Sequence, residues 1–153
     1  TLTGKFTDTM IPVAYKPYGI QAIGTRIWVT YFDGNSGGYV DAFDTNGRLK
    51  LRLQTGSFSE PWGIAQAPAN FGAFSNMLLV ANTTSGMISA YSPTTGVFQG
   101  FLQDSGGNPI VLPGIWGISF GNGNRKSGAT NFLYYSAGGD QYLTGVFGVI
   151  KAN

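Results

Sequence analysis

Cysteine and histidine are both absent from this chain of 153 residues. Without a thiolate or an imidazole there is no disulfide, no Cys/His zinc site, no iron–sulfur cluster and no Ser-His-Asp triad. Charge is scarce as well, at 10% of residues, where an average soluble domain carries ~25%. The formal net charge is +2, and the densest basic run is Arg48-Leu49-Lys50-Leu51-Arg52. Its charges alternate with leucines, as one face of a strand would. Nucleic acid demands a broad basic surface, so it is not an expected partner. No apolar run approaches the ~18–20 residues of a membrane-spanning helix, and no membrane span is expected. No signal peptide is visible. The chain opens directly in strand-like sequence, so an upstream portion removed from it is an expectation.

What the chain has is glycine, 24 residues of it, and aromatics at 14%. Disordered chains are charge-rich and aromatic-poor. This composition instead suits a turn-rich all-β domain. Three segments then begin alike: Pro17-Tyr18-Gly19-Ile20, Pro61-Trp62-Gly63-Ile64 and Ile115-Trp116-Gly117-Ile118. Tyr18 to Trp62 is 44 residues and Trp62 to Trp116 is 54. Periods of ~40–50 residues with four strands per unit mark the blades of a β-propeller.

The second unit reads most clearly. Strands are expected over Trp62–Ala67, Asn76–Asn82, Met87–Tyr91 and Val97–Leu102, separated by Thr83-Thr84-Ser85-Gly86 and Ser92-Pro93-Thr94-Thr95-Gly96 turns. The first unit overlays on it with Tyr18–Ile23, Arg26–Phe32, Tyr39–Phe43 and Leu49–Leu53. Asn46-Gly47 closes its outer hairpin, since both residues tolerate positive φ. The third unit supplies Trp116–Phe120, Asn131–Ser136 and Gly145–Lys151, and no fourth strand. Leu2–Phe6, ahead of the first inner strand, occupies the place of a preceding blade's outer strand. The expected architecture is three four-stranded blades, 15–55, 60–103 and 113–153, forming half of a six-bladed ring, with strand 2–6 completing the last blade of a partner or parent ring. Propellers have ~4–8 blades, so three form an open arc. Its end faces would expose apolar surface worth several kcal/mol each at ~25 cal/mol/Å². The expected partner is a second half-propeller, either the rest of a longer parent chain or a homodimer copy.

Several phrases carry a resemblance: Phe6-Thr7-Asp8, Val40-Asp41-Ala42-Phe43-Asp44-Thr45-Asn46-Gly47, Pro61-Trp62-Gly63-Ile64-Ala65, Asn70-Phe71-Gly72-Ala73-Phe74-Ser75-Asn76 and Trp116-Gly117-Ile118-Ser119-Phe120-Gly121. Together they resemble an uncharacterised family of secreted, NHL-like six-bladed β-propeller proteins found near bacterial PEP-CTERM sorting systems, and the chain looks like the family's C-terminal half. The resemblance implies the fold and a secreted, extracellular or periplasmic location. It implies no catalytic residues. The loop after Asp33 is shorter, and Asp140-Gln141-Tyr142 less acidic, than the family leads one to expect, so no metal site carries over.

Tyr18, Trp62 and Trp116 recur once per unit at the start of an inner strand. As structural residues they wedge between blades; as functional ones they form an aromatic rim at a channel mouth, able to stack on sugars or apolar ligands. Gln21, Gln66 and Ser119 follow them and are candidates to line the channel, with strand alternation placing them opposite the aromatics. Glu60 precedes an inner strand and is a further channel-mouth candidate. The carboxylates Asp8, Asp33, Asp41, Asp44, Asp104 and Asp140 form no evident acid/base pair. Asp33-Gly34-Asn35-Ser36-Gly37-Gly38 offers oxygen donors but not an EF-hand spacing; calcium is a weak candidate and no metal ligand is assigned. Gly121-Asn122-Gly123-Asn124 lacks the Gly-Lys-Ser/Thr ending of a phosphate loop. Asn82-Thr83-Thr84 is an N-glycosylation sequon. The expected function is a non-catalytic extracellular binding or structural propeller with a glycan or protein ligand. The alternatives are a calcium-assisted hydrolase or lyase completed by a missing half, and a self-assembling oligomer or filament module.

Overall fold

The structure is a computed structural model that describes residues 5–35, 37–139 and 144–152. Every regular element in it is a strand, apart from one 3-10 turn at Gly72–Phe74. The first sheet runs β1 (Lys16–Ile23), β2 (Arg26–Phe32), β3 (Tyr39–Phe43) and β4 (Leu49–Arg52). The second runs β5 (Pro61–Gln66), β6 (Leu78–Asn82), β7 (Ile88–Tyr91) and β8 (Phe98–Phe101). The third holds β9 (Ile115–Phe120), β10 (Phe132–Ala137) and β11 (Val146–Lys151). In each sheet the strands pair antiparallel in chain order, so the chain is three successive meanders.

The elements follow from local chemistry. Arg26–Phe32 and Leu78–Asn82 are continuous apolar or β-branched runs, and all five residues of β6 are buried. A strand apolar on both faces needs cover on both faces, and β6 has it. Leu78, Val80 and Tyr91 pack toward the first sheet with Trp28, Val40, Leu53 and Phe58. Leu79, Ala81, Ile88 and Ala90 pack toward the third sheet with Ile115, Ile118 and Leu133. The core therefore lies in two slabs between consecutive sheets. A third cluster, Val29, Tyr31 and Phe43, sits on the outer face of the first sheet, where Phe6, Ile11 and Tyr15 lean over it.

The outer hairpins close on glycine. Gly47 and Gly96 take φ +75 and +74, and the register shifts one step away, between Ala42 and Phe43 and between Ala90 and Tyr91. Only Gly47 of the Asn46-Gly47 pair has positive φ. Asp44 Oδ1 instead accepts from the backbone N–H of Asn46 at 2.9 Å and Arg48 at 3.0 Å, which makes an Asx turn followed by a bulge. Asp104 repeats the device with Gly106 and Asn108.

Expected and observed strands agree to within two residues at nearly every boundary. Among the described residues, the third sheet has three strands. Residues 2–4 of the expected strand Leu2–Phe6 lie outside the described residues, and Lys5 and Phe6 are not in a strand. Asp140-Gln141-Tyr142 also lies outside the described residues.

Candidate functional site

The first strands of the three sheets, β1, β5 and β9, lie side by side. Glycine permits this spacing. A Cβ on Gly19 would come within 2.6 Å of the Trp62 carbonyl oxygen, and a Cβ on Gly63 would collide with the Trp116 carbonyl oxygen. No larger residue lets two backbones approach so closely. Directly before each glycine stands the repeated aromatic, so the close packing brings Tyr18, Trp62 and Trp116 into one row. Tyr18 and Trp62 meet edge to face, with ring centroids 4.0 Å apart, and Trp62 and Trp116 follow at 6.4 Å. The pairing register shifts at this step in each sheet: between Pro17 and Ile20, between Pro61 and Ile64, and opposite Ile115–Ile118 between Tyr135 and Ala137. A bulge of this kind re-aims a side chain. Here it turns the aromatics into an open concavity of about 490 Å³ lined by Tyr18, Trp62, Trp116, Gly117 and Ser136.

Glu60 fixes one end of the row. Tyr18 Oη donates to Glu60 Oε1 at 2.8 Å, and Thr84 Oγ1 donates to Glu60 Oε2 at 2.8 Å. Its backbone N–H donates to Gly37 O at 3.0 Å, while its carbonyl accepts from Thr83 N at 2.9 Å. The residue thus straps the first sheet to the second. It holds φ +60, a conformation that costs a non-glycine residue on the order of 1 kcal/mol or more. Both carboxylate oxygens of Glu60 are engaged in holding Tyr18 and Thr84, so the geometry assigns it positioning of the rim.

Gln21, Gln66 and Ser119 also meet, with Ile23, Ile64 and Ile118 around a second concavity of about 210 Å³. It lies at the far end of the same strands, ~13 Å along β5 from Trp62 at 3.3 Å per residue. Alternation does not relate the two groups, because the bulge falls between them. The sequence register is also one residue out here: Ala65 pairs with Leu79 as Gln21 pairs with Trp28, and Gln66 stands one step further along. Gln21 Nε2 donates to the adjacent Ala22 carbonyl at 3.3 Å.

The remaining candidates resolve into structural roles. Asp33 Oδ1 accepts from Asn35 N at 3.0 Å, a turn. Backbone N–H groups of Arg48 and Asn108 hold the Asp44 and Asp104 carboxyls below the usual range. Among the described residues, no three acidic side chains gather where a metal ion could be held. Arg52 belongs to a cluster that the sequence does not reveal. Its Nε donates to Asp41 Oδ1 at 2.9 Å, its Nη2 to Asp8, and its guanidinium lies 5.2 Å over the Tyr39 ring. Burial pushes the Asp41 carboxyl up to about 7.

The Asn82 sequon is corrected by its environment. Asn82 is 0% exposed, and its Nδ2 donates to Val80 O, Met87 O and Ser89 Oγ at 3.0 to 3.2 Å. Its Oδ1 accepts from Ser59 N at 3.0 Å. A glycan on that nitrogen has no space in the fold. Produced through a eukaryotic secretory host, the folded protein is expected to show the unmodified polypeptide mass. Asn82→Ala should cost about 1–3 kcal/mol in denaturant unfolding, because it removes the side-chain acceptor of the half-buried Ser59 N–H and the amide that donates to the buried Ser89 hydroxyl.

No family model matches the chain. It is 30% identical over 121 residues to uncharacterised protein R640 of Acanthamoeba polyphaga mimivirus, covering 71% of this chain and 23% of that protein. It is 28% identical over 152 residues to uncharacterised protein L690 of the same virus, covering 90% of this chain and 38% of that protein. The chain therefore spans well under half the length of these relatives. Among the described residues, no helix is long and apolar enough to cross a membrane.

Proposed function

We propose that this chain is a non-catalytic binding module: three consecutive blades of a β-propeller, an open half-ring whose ligand docks at the aromatic end of its axis. Three meanders of like register, with their first strands adjacent, support the propeller reading, and the repeated aromatic-Gly-Ile step supports a common axis. The single observation that carries the binding reading is the row Tyr18–Trp62–Trp116 around an open concavity, with Glu60 spent on holding it in place. Tyr18 is 37% and Trp116 40% exposed. A protein seldom leaves such aromatics exposed in a row without use. Their geometry favours a ligand with flat apolar faces and hydroxyl edges, which describes a glycan. The Ser136 hydroxyl, which accepts from the Gly117 N–H at 3.2 Å, stands at the end of the row with its own proton to donate to the edges. The extracellular or periplasmic location belongs to the same proposal.

Titration with a panel of soluble oligosaccharides, followed by tryptophan fluorescence and calorimetry, tests this. Binding should perturb the tryptophan emission. Trp116→Ala should weaken it about five- to tenfold, since stacking on one aromatic is worth ~1–1.5 kcal/mol. A panel that leaves emission and heat unchanged, or an affinity that ignores Trp116→Ala, would remove the rim from consideration.

A further inference from the structure

The sheets can be superposed by their pairings, and the superposition shows what each end of the chain lacks. Ile20, Ile64 and Ile118 are equivalent, facing Val29, Val80 and Tyr135 across the first strand pair. Ile64 is 4% and Ile118 8% exposed, each covered by the sheet before it; Ile20 is 72% exposed. Around Ile20 lies an apolar groove of about 410 Å³ lined by Phe6, Pro17, Ile27 and Val29.

The opposite end carries the matching surplus. Val40, Ile88 and Phe147 are equivalent, facing Thr30, Ala81 and Ser136. Val40 and Ile88 are 0% exposed, each covered by the following sheet, whereas Phe147 is 76% exposed. Val149 stands where Ala42 and Ala90 are buried, and is 40% exposed. The glycines agree. Gly19 faces the Trp62 carbonyl and Gly63 the Trp116 carbonyl, but a Cβ on Gly117 would meet Ser136 Oγ alone.

A third correspondence joins the two ends. Leu53 and Leu102 follow the fourth strands of the first and second sheets, donating to Val40 O and Ile88 O. They cluster with Tyr91 and Ile150 of the next sheet. Phe6 packs on Phe43, the residue equivalent to Tyr91 and Ile150, with ring centroids 5.9 Å apart. Phe6 thus covers on the first sheet the position that Leu53 covers on the second and Leu102 on the third. The third sheet, among the described residues, has no fourth strand.

We propose that the open face of the first sheet seats on the open face of the third sheet of a second copy, twice over. Two chains then close into a six-sheet ring about a twofold axis. This rests on the propeller reading above. The contact continues the two interfaces already inside the chain, and it places Gly117 against the Tyr18 carbonyl of the second copy. Head-to-tail contacts close into rings only when the rotation fits, so the prediction is a dimer and not an open series.

Light scattering on the full chain across a range of concentrations should give twice 16.2 kDa. Ile20→Asp and Phe147→Asp alter residues exposed in the single chain, so circular dichroism should remain native. Each should raise the dimer dissociation constant at least about 30-fold, as loss of a central apolar anchor does. Gly117→Ala should do the same, while Val97→Asp, on an exposed turn off both faces, should leave the mass unchanged. A native-like monomer at every concentration would overturn the inference and leave the two faces to sheets of a longer polypeptide. Growth beyond two copies would overturn ring closure. Dimerisation without glycan binding removes the binding proposal alone; glycan binding by a monomer removes this one alone.

Discussion

Gly63→Ala should destabilise the chain by about 3 kcal/mol or more, although it adds one methyl group and requires no unusual backbone angle. The added Cβ would collide with the Trp116 carbonyl oxygen, and it would also lie 3.0 Å from Ile118 N and 3.2 Å from Ile118 Cγ1. The two nearest obstacles are backbone atoms, which cannot swing aside as the end of a flexible side chain can. Relief requires β5 and β9 to separate, which loosens the slab holding Leu79, Ile88, Ile115 and Leu133. Overpacking a tight core typically costs ~1–3 kcal/mol, and a backbone obstacle belongs at or above the top of that range. At ~2–4 °C per kcal/mol for a domain of this size, the melting temperature should fall by about 10 °C. Gly19→Ala, with its nearest obstacle at 2.6 Å, should cost somewhat less. Gly117→Ala, measured where the chain is monomeric, should be nearly neutral, because Ser136 Oγ at 3.0 Å can rotate away. Denaturant unfolding of the three variants gives the ranking. If Gly63→Ala cost under about 1 kcal/mol, the first strands would not be held by glycine contact.

That ranking was partly legible in the sequence, since three glycines after three aromatics announce a repeated close approach. The strands were legible for the same reason: runs such as Arg26–Phe32 and Leu78–Asn82 have one reading, and Gly34 and Gly86 sit in the turns that follow them. The rim residues could be found by their recurrence, because repetition fixes register without any long-range information. What the sequence concealed depends on bulges and on distant partners. A one-residue shift at the aromatic-Gly step defeats alternation, so the relation of Gln21, Gln66 and Ser119 to the rim could not be counted out. Asn82 reads as the accessible end of a strand because Thr83-Thr84-Ser85-Gly86 follows it. Its burial arises from Ser59, 23 residues earlier, and from Ser89 on the neighbouring strand. The Asp8–Arg52–Asp41 cluster is the extreme case. Asp41 and Arg52 face each other across the β3–β4 hairpin, but Asp8, 44 residues from Arg52, joins them only because residues 6–15 drape over the first sheet.

That cluster sets the second large effect, a stability that falls as pH rises toward neutrality. The Asp41 side chain is 0% and that of Asp8 3% exposed, and one guanidinium serves both. Two buried carboxylates sharing a single cation leave one negative charge in excess, which burial penalises. Asp41 accordingly titrates at about 7, against ~4 in an unfolded chain. The folded state therefore holds its proton more tightly than the unfolded state does. The Asp41 contribution to stability is greatest below pH ~4, declines between pH 4 and about 7, and is level at its lower value above that. Asp44 and Asp104, lowered by backbone N–H groups, act in the opposite sense but only below pH 4. Asp41→Asn should flatten the profile between pH 5 and 8 and raise stability at pH 8 by on the order of 2–3 kcal/mol. Arg52→Met should cost about 3–5 kcal/mol at pH 8 and distinctly less at pH 5, where Asp41 carries its proton. Urea midpoints at the two pH values, for wild type and both variants, decide the matter. A wild-type stability that stayed level from pH 5 to 8 would mean that Arg52 holds Asp41 ionised and outweighs its burial. The tie between the first sheet and residues 6–15 would then be an ordinary salt bridge, insensitive to pH in the neutral range.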